Sequence, residues 1–258
     1  MEINNVKFNE SIERAAEEQE KTNIKDDSSI PFISMKKENI ILFKDSIKKV
    51  GDDYIFLFDI DDTIYKSSEK FHQNQIKSFY EAYDKLREKA IKDGKTIPPV
   101  DVALKENALY TETFFKYFDI TPIQLEAFRE QCDYSEFLEK DEEVRNMLLS
   151  IPFRKWAFTN GLKSRADPIL EVLGLKDCFE GVICFDDDSR EIIGKPKDSA
   201  FEFVEELLGI ENKQKVFFFD DALINIKTGE RFGWRSIHVR KEDCIIELVN
   251  DVLKDIKY

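Results

Sequence analysis

The sequence predicts an α/β protein built on a doubly wound parallel sheet, with a helical cap inserted behind its first strand. Three observations carry this expectation: five short segments that read as buried strands, helical patterns separating the last four, and one gap far longer than a crossover requires. Most of the strand segments are nearly continuous apolar runs, the pattern of parallel strands covered by helices on both faces. Alternating strands and helices imply right-handed crossovers, and ligands of such sheets bind beyond the carboxyl ends of the strands.

In chain order, residues 1 to 50 are rich in Glu, Lys, Asp and Asn, with "KDDSSIP" reading as a linker, and are expected to form a flexible extension. Within them "ENIILFKDSIKKV" is compatible with a short packed helix. The core is expected over 51 to 66 and 151 to 258, with strands at Tyr54 to Phe58, Lys155 to Phe158, Val182 to Phe185, Val216 to Phe219 and Ser236 to Val239. Between them "LKSRADPILEVLGL" ends at a glycine, and "KDSAFEFVEELLGI" places Phe201, Val204, Leu207 and Leu208 at helical spacing. Residues 67 to 150 read as wholly helical. Ile76, Phe79, Tyr80, Tyr83, Leu86 and Ala90 form one amphipathic stripe, and "TPIQ" at Thr121 to Gln124 has the Thr cap, the Pro at the first helical position and the Gln at the third. A helical insertion at this point is expected to sit over the strand ends as a lid.

Composition narrows the function. At 258 residues, 42% hydrophobic and 36% charged, the chain suits one main globular core. A net charge of −14 argues against a partner that is a nucleic-acid polymer or an anionic membrane, which are bound through large positive fields. A small anionic substrate stays compatible if local cations offset the acidic background. Cys132, Cys178, Cys184 and Cys244 are scattered without a C-x-x-C pair and read as free thiols in a reducing compartment. No apolar run reaches the roughly 18 residues of a membrane span. The start "MEINNVKFNE" lacks a secretory layout, so the chain reads as cytoplasmic, with the nucleus as a further compartment.

Polar residues fall where such a sheet binds ligands. Asp59, Asp61 and Thr63 lie in "FDIDDTIY", Thr159 and Asn160 in "AFTNG", Lys195 in "IGKPK", and Asp220 with Asp221 in "FFFDDALIN". Carboxylates crowded behind an apolar strand repel one another and resist desolvation, so they call for a metal ion or a proton to share. With only His72 and His238 in the chain, carboxylates must carry any metal.

In this order and spacing the residues resemble the haloacid dehalogenase superfamily, whose phosphatases carry D-x-D-x-T, then a Thr or Ser, then a Lys, then an acidic pair. The match covers residues 54 to about 240. More closely, "FDIDDTIYKSS", "AFTNG", the Lys-Pro pair and "DDALINIKTGERFG" resemble the fungal and plant pyrimidine 5′-nucleotidase group, with its helical cap after the first motif. The resemblance implies a Rossmann-like core with Asp59 as nucleophile and Asp61 as general acid and base. It also implies a magnesium ion bound mainly by Asp59, the backbone carbonyl of Asp61 and Asp221, with Asp220 in support. Ala222 stands where relatives often have Ser.

Physical chemistry supports those roles. A phosphate dianion repels a carboxylate nucleophile, so attack requires a cation touching both, and magnesium prefers a few carboxylates plus water and phosphate oxygens. An aspartyl phosphate on Asp59 splits one difficult displacement into two, and Asp61 is near enough to protonate the leaving alcohol and then deprotonate water. Thr159 and the amides of Thr159, Asn160 and Gly161 at a helix start are expected to cradle phosphate oxygens, and Lys195 to supply positive charge and brace Asp59.

The expected activity is therefore magnesium-dependent hydrolysis of a small phosphorylated metabolite, with a pyrimidine nucleoside 5′-monophosphate as the substrate implied by resemblance. A sugar phosphate, pyridoxal phosphate, a receiver-like phosphoacceptor and a non-catalytic binder are the alternatives. Plainer readings hold for other residues. Thr63 and Asp62 read as loop and turn residues, Asn225 as a brace, and His72 as a surface or packing residue. Tyr65 suits substrate contact and hinge packing equally. The Phe residues of "ETFFKYF" are most simply core, with Phe114, Phe115 and Tyr117 as candidates to stack on a base.

Overall fold

The computed structural model describes residues 30–106, 110–126, 132–185 and 192–256; the extension expected over 1–29 lies outside the described residues. Strand β1 (Phe32–Ser34) leads into helix α1 (Lys37–Phe43) and then β2 (Ile55–Phe58). Among the described residues four helices follow: α2 (Glu69–Lys92), α3 (Val100–Ala103), α4 (Tyr110–Phe118) and α5 (Pro122–Glu126). The chain continues through α6 (Glu142–Ser150), β3 (Arg154–Phe158), α7 (Lys163–Leu173), β4 (Val182–Cys184), α8 (Asp198–Leu208), β5 (Val216–Asp220), α9 (Leu223–Arg231), β6 (Arg235–His238) and α10 (Ile245–Asp255).

The strands form one sheet in the order β1-β4-β3-β2-β5-β6, and every pairing is parallel. The chain steps outward from β2 through β3 to β4, then returns to place β5 on the other side of β2. That reversal opens a crevice at the carboxyl ends of the central strands, where doubly wound sheets bind ligands. All four residues of β2 and all five of β5 are buried, which explains their unbroken apolar runs. On one face the register Phe56↔Phe217 and Phe58↔Phe219 stacks aromatic rings, with the Phe58 and Phe219 centroids 4.8 Å apart. On the other face Phe158, Phe201, Phe218 and Trp234 pack together, Phe201 and Trp234 at 5.0 Å.

Helices α7 and α8 both end on a left-handed glycine, Gly174 at φ 68° and Gly209 at φ 61°, as the ends of their sequence patterns suggest. Residues 30–50 depart from the expected flexible extension. Phe32–Ser34 pairs with Val182–Cys184 as an edge strand, and α1 packs on α8. The apolar residues Ile33 and Met35 are fully buried, which holds this short segment to the sheet against its polar flanks.

The described residues divide into two compact units. The sheet unit comprises Ile30–Ser68, Asp133–Asp186 and Ile193–Tyr258. It includes α6, a helix expected in the 67–150 insertion. The Asp141 carboxylate caps that helix, accepting from the Val144 amide at 2.9 Å, and its Val144, Met147 and Leu148 face is buried, with α10 packed beside it.

The helical unit is built on Glu69–Cys132. Its core joins Phe79, Ala82, Tyr83, Leu86 and Ala90 of α2 to Ile97, Val100, Ala103, Phe114 and Leu125. Phe114 meets Phe79 and Tyr83 edge-on at 4.8 and 5.7 Å, so it is a core ring and not a candidate for base stacking. The Tyr117 hydroxyl donates to Glu106 at 2.6 Å. Ile76, expected in the apolar stripe, is 36% exposed, and His72 is exposed. At "TPIQ" the Gln124 side chain accepts from the Thr121 amide at 2.9 Å, one half of a capping box, while the Thr121 hydroxyl has no partner.

Candidate active site

Adjacent strands bring the acidic residues together. β2 and β5 run in register up to Phe58↔Phe219, so Asp59, the residue after β2, lies beside Asp220, the last residue of β5. The Asp59 amide donates to the Phe219 carbonyl at 2.9 Å, which extends the ladder into the site. One carboxylate oxygen from each of Asp59, Asp220 and Asp221 lies within 4.8 Å of the others. Three carboxylates without a His or Cys form a hard oxygen donor set, and that chemistry fits magnesium. The Asp61 side chain stands outside this set.

Lys195 is the cation of the cluster. It is 1% exposed, and its Nζ donates to Asp59 Oδ1 at 2.8 Å, to Asp220 Oδ2 at 2.6 Å and to the Phe158 carbonyl at 2.6 Å. All three ammonium protons are therefore matched. Burial opposes its charge, but Asp220 and Asp59 more than offset this and hold its pKa above the ordinary lysine value. Burial pushes Asp59 well above the usual carboxyl range, against the pull of Lys195 and with the added repulsion of Asp220 and Asp61. Desolvation, then the charges of Asp220 and Asp62, raise Asp221 to about 6.

The polar frame around these groups is nearly complete. Asp220 also accepts from the Ala222 amide at 2.9 Å and from Asn225 Nδ2 at 2.9 and 3.1 Å, so Asn225 is the brace expected of it. Thr63, read as a loop residue, donates its hydroxyl to Asp59 Oδ2 at 3.3 Å. Asp62 adopts a left-handed φ of 56° and accepts from the Ser67 amide, a turn role tolerated by Asp. His238 Nε2 lies 2.8 Å from the Asp221 carbonyl.

Behind β3, the Thr159 hydroxyl accepts from the Gly161 amide at 2.8 Å. The Asn160 side chain donates to the Lys195 carbonyl at 2.7 Å and accepts from the Lys195 amide at 2.8 Å. The "TNG" segment thus locks the Lys195 loop in place as well as lining the site. Thr228 of α9 reaches the same loop, donating to the Pro196 carbonyl at 3.2 Å.

The sequence reading did not single out Arg165. Its NH2 lies 2.6 Å from Asp61 Oδ1 and its Nε 3.4 Å from Asp61 Oδ2, while the Tyr65 hydroxyl donates a short hydrogen bond to the same Oδ1. Burial pushes the Asp61 carboxyl up, but the Arg165 charge and hydrogen bond, with Tyr65, outweigh it and hold the pKa below the ordinary range. Arg165 sits in the first turn of α7, six residues beyond Thr159. The only sequence signal for it was a cation close behind a strand end.

The family described as haloacid dehalogenase-like hydrolase matches residues 55–233. Phosphate metabolism protein 8 of Saccharomyces cerevisiae is 26% identical over 218 residues, which cover 79% of this chain and 66% of that protein. The chain thus spans just under two thirds of the length of that relative. Among solved structures, an HAD-like family hydrolase from Porphyromonas gingivalis has a TM-score of 0.48 at 15% identity, covering 78% of this chain and 98% of that one. An HAD family enzyme from Bacteroides thetaiotaomicron, in complex with magnesium and inorganic phosphate, has a TM-score of 0.44 at 12% identity over 76% of this chain and 98% of that one. With the family match running from β2 to the turn behind α9, the chain belongs to the haloacid dehalogenase-like hydrolases.

Proposed function

We propose that this hydrolase is a magnesium-dependent phosphatase acting on phosphate monoesters through an aspartyl phosphate on Asp59, with pyrimidine nucleoside 5′-monophosphates as its substrates. The observation that carries the reaction is the junction of Asp59, Asp220 and Asp221 beside the buried ammonium of Lys195. Magnesium held by Asp59, Asp220 and Asp221 would supply the positive charge that lets a carboxylate approach a phosphate dianion.

In the first step an Asp59 oxygen forms a bond to phosphorus as the ester P–O bond breaks, and the leaving oxygen takes a proton from Asp61. In the second, a water oxygen bonds to phosphorus, the Asp59–phosphorus bond breaks, and the water proton passes to Asp61. Lys195 and Thr63 hold Asp59 at its two oxygens. The Thr159 hydroxyl, which accepts from Gly161, keeps its own proton as a donor for a phosphate oxygen. The pyrimidine preference rests on the likeness of the motifs to that nucleotidase group.

The test is phosphate release, with and without magnesium, from UMP, CMP, AMP, GMP, ribose 5-phosphate and pyridoxal phosphate, with Asp59→Asn as control. Magnesium-dependent release led by UMP or CMP and lost in the variant is the expected result. A different preferred ester would overturn the substrate and keep the chemistry. No release from any ester by the folded chain would overturn both.

A further inference from the structure

We infer that Arg165 and Tyr65 are positioning residues that fix the carboxylate of Asp61 as the base that takes the water proton in the second step, an inference that rests on the phosphatase reading above. Asp61 is held from two sides. Arg165 spans both carboxylate oxygens, at 2.6 and 3.4 Å, and the Tyr65 hydroxyl donates to Oδ1. A planar fork on both oxygens restricts rotation of the carboxylate, which a single ammonium contact would leave free.

Both clamping residues are themselves anchored. Tyr65 is 7% exposed and lies four residues beyond Asp61 in the same tight turn. Arg165 is fixed by its place in the first turn of α7, where its amide donates to the Leu162 carbonyl at 3.0 Å, and its guanidinium carbon lies 5.9 Å from the Tyr134 ring centre. The loop that begins at Thr159 therefore brings two things to the site on one rigid element: the hydroxyl facing the phosphate position and the cation that aims the proton carrier. Asp61, the group that Arg165 and Tyr65 hold, stands outside the three-carboxylate cluster of Asp59, Asp220 and Asp221.

Proton transfer depends steeply on alignment, and a misplacement near 1 Å costs on the order of a hundredfold in rate. The test is a double-mutant cycle on the full chain with magnesium and the ester of the panel above that it hydrolyses fastest, comparing Arg165→Ala, Tyr65→Phe, Asp61→Asn and the two combined variants. Arg165→Ala is expected to lower kcat by about ten- to a hundredfold with little change in KM. Arg165→Lys should recover part of that loss, because it restores the charge without the fork. In the Asp61→Asn background, both substitutions should cost almost nothing more, since the group they position is already inert.

Losses that multiply undiminished in the Asp61→Asn background, or that appear in KM, would overturn the inference and leave the phosphatase reading standing. No phosphate release from any ester of that panel by the unmodified chain would overturn that reading and the inference together. Tyr65→Phe keeps the buried ring in place, so the cycle stays decisive even if Arg165→Ala does not fold.

Discussion

Lys195 carries one positive charge into a space bounded by two carboxylates and a carbonyl, and it is matched there by three hydrogen bonds. Replacing it with Met keeps the stem and deletes the ammonium. Asp59 and Asp220 would then face each other, buried and uncompensated, at a cost of about 3–5 kcal/mol. Urea denaturation of Lys195→Met in magnesium-free buffer should show a loss of that size, and phosphate release should fall with it. An unchanged midpoint would mean that the pair needs no cation from the chain. At this scale the sequence was informative wherever chemistry demanded a residue type at a strand end, as with Asp59 just behind β2 and Asp220 at the end of β5. For Arg165 it offered no more than a cation close behind a strand end, because the partner Asp61 is 104 positions away and the setting reads as an ordinary helix start. Nor did it foresee that Asn160 would spend its side chain on the backbone of Lys195.

Among the elements, α9 is pressed close to the sheet at Gly229. A Cβ built there would lie 2.3 Å from the Ser236 hydroxyl oxygen and 3.1 Å from Phe218 Cδ1. Gly229→Ala forces the Ser236 hydroxyl aside and crowds Phe218, which loosens the seat of α9 on β5 and β6, and is expected to destabilise the fold by about 1–3 kcal/mol in a denaturant titration. Because Asn225 of the same helix braces Asp220, a shift of α9 should lower phosphate release by more than the unfolded fraction explains. The buried strands were legible because burial on both faces leaves only apolar residues in a run. β1 was not, since three residues at a sheet edge carry too short a pattern to separate from the linker before them. The end of the helical insertion was equally hard to read, because α6 has the same amphipathic spacing whether it packs in one unit or the other.

For the whole molecule, a net charge of −14 makes a cluster of acidic groups costly, and stability should follow its ionisation. The Asp221 carboxyl is raised in the folded chain from 3.8 to about 6, so the folded state binds this proton more tightly than the unfolded one. Its contribution is fully present below the unfolded value and is lost as pH rises through about 6. Thermal melts of the metal-free chain should record that decline. Magnesium should reverse it, with a gain in Tm that grows up to about pH 6 and then levels, because the ion competes with the proton for the same oxygens. A magnesium effect independent of pH across this window would argue against Asp221 as a ligand.

The pairing of β2 with β5 has a kinetic consequence. Ile55 meets Val216 only after most of the chain has been synthesised, so Asp59 and Asp220 stay far apart until that late, long-range closure occurs. The nascent chain is spared the repulsion of the assembled cluster, and helices can form before the carboxylates are forced together. Recovery of catalytic turnover after dilution from urea should accordingly lag the return of helical circular dichroism, making activity a clock for the docking of β5 on β2.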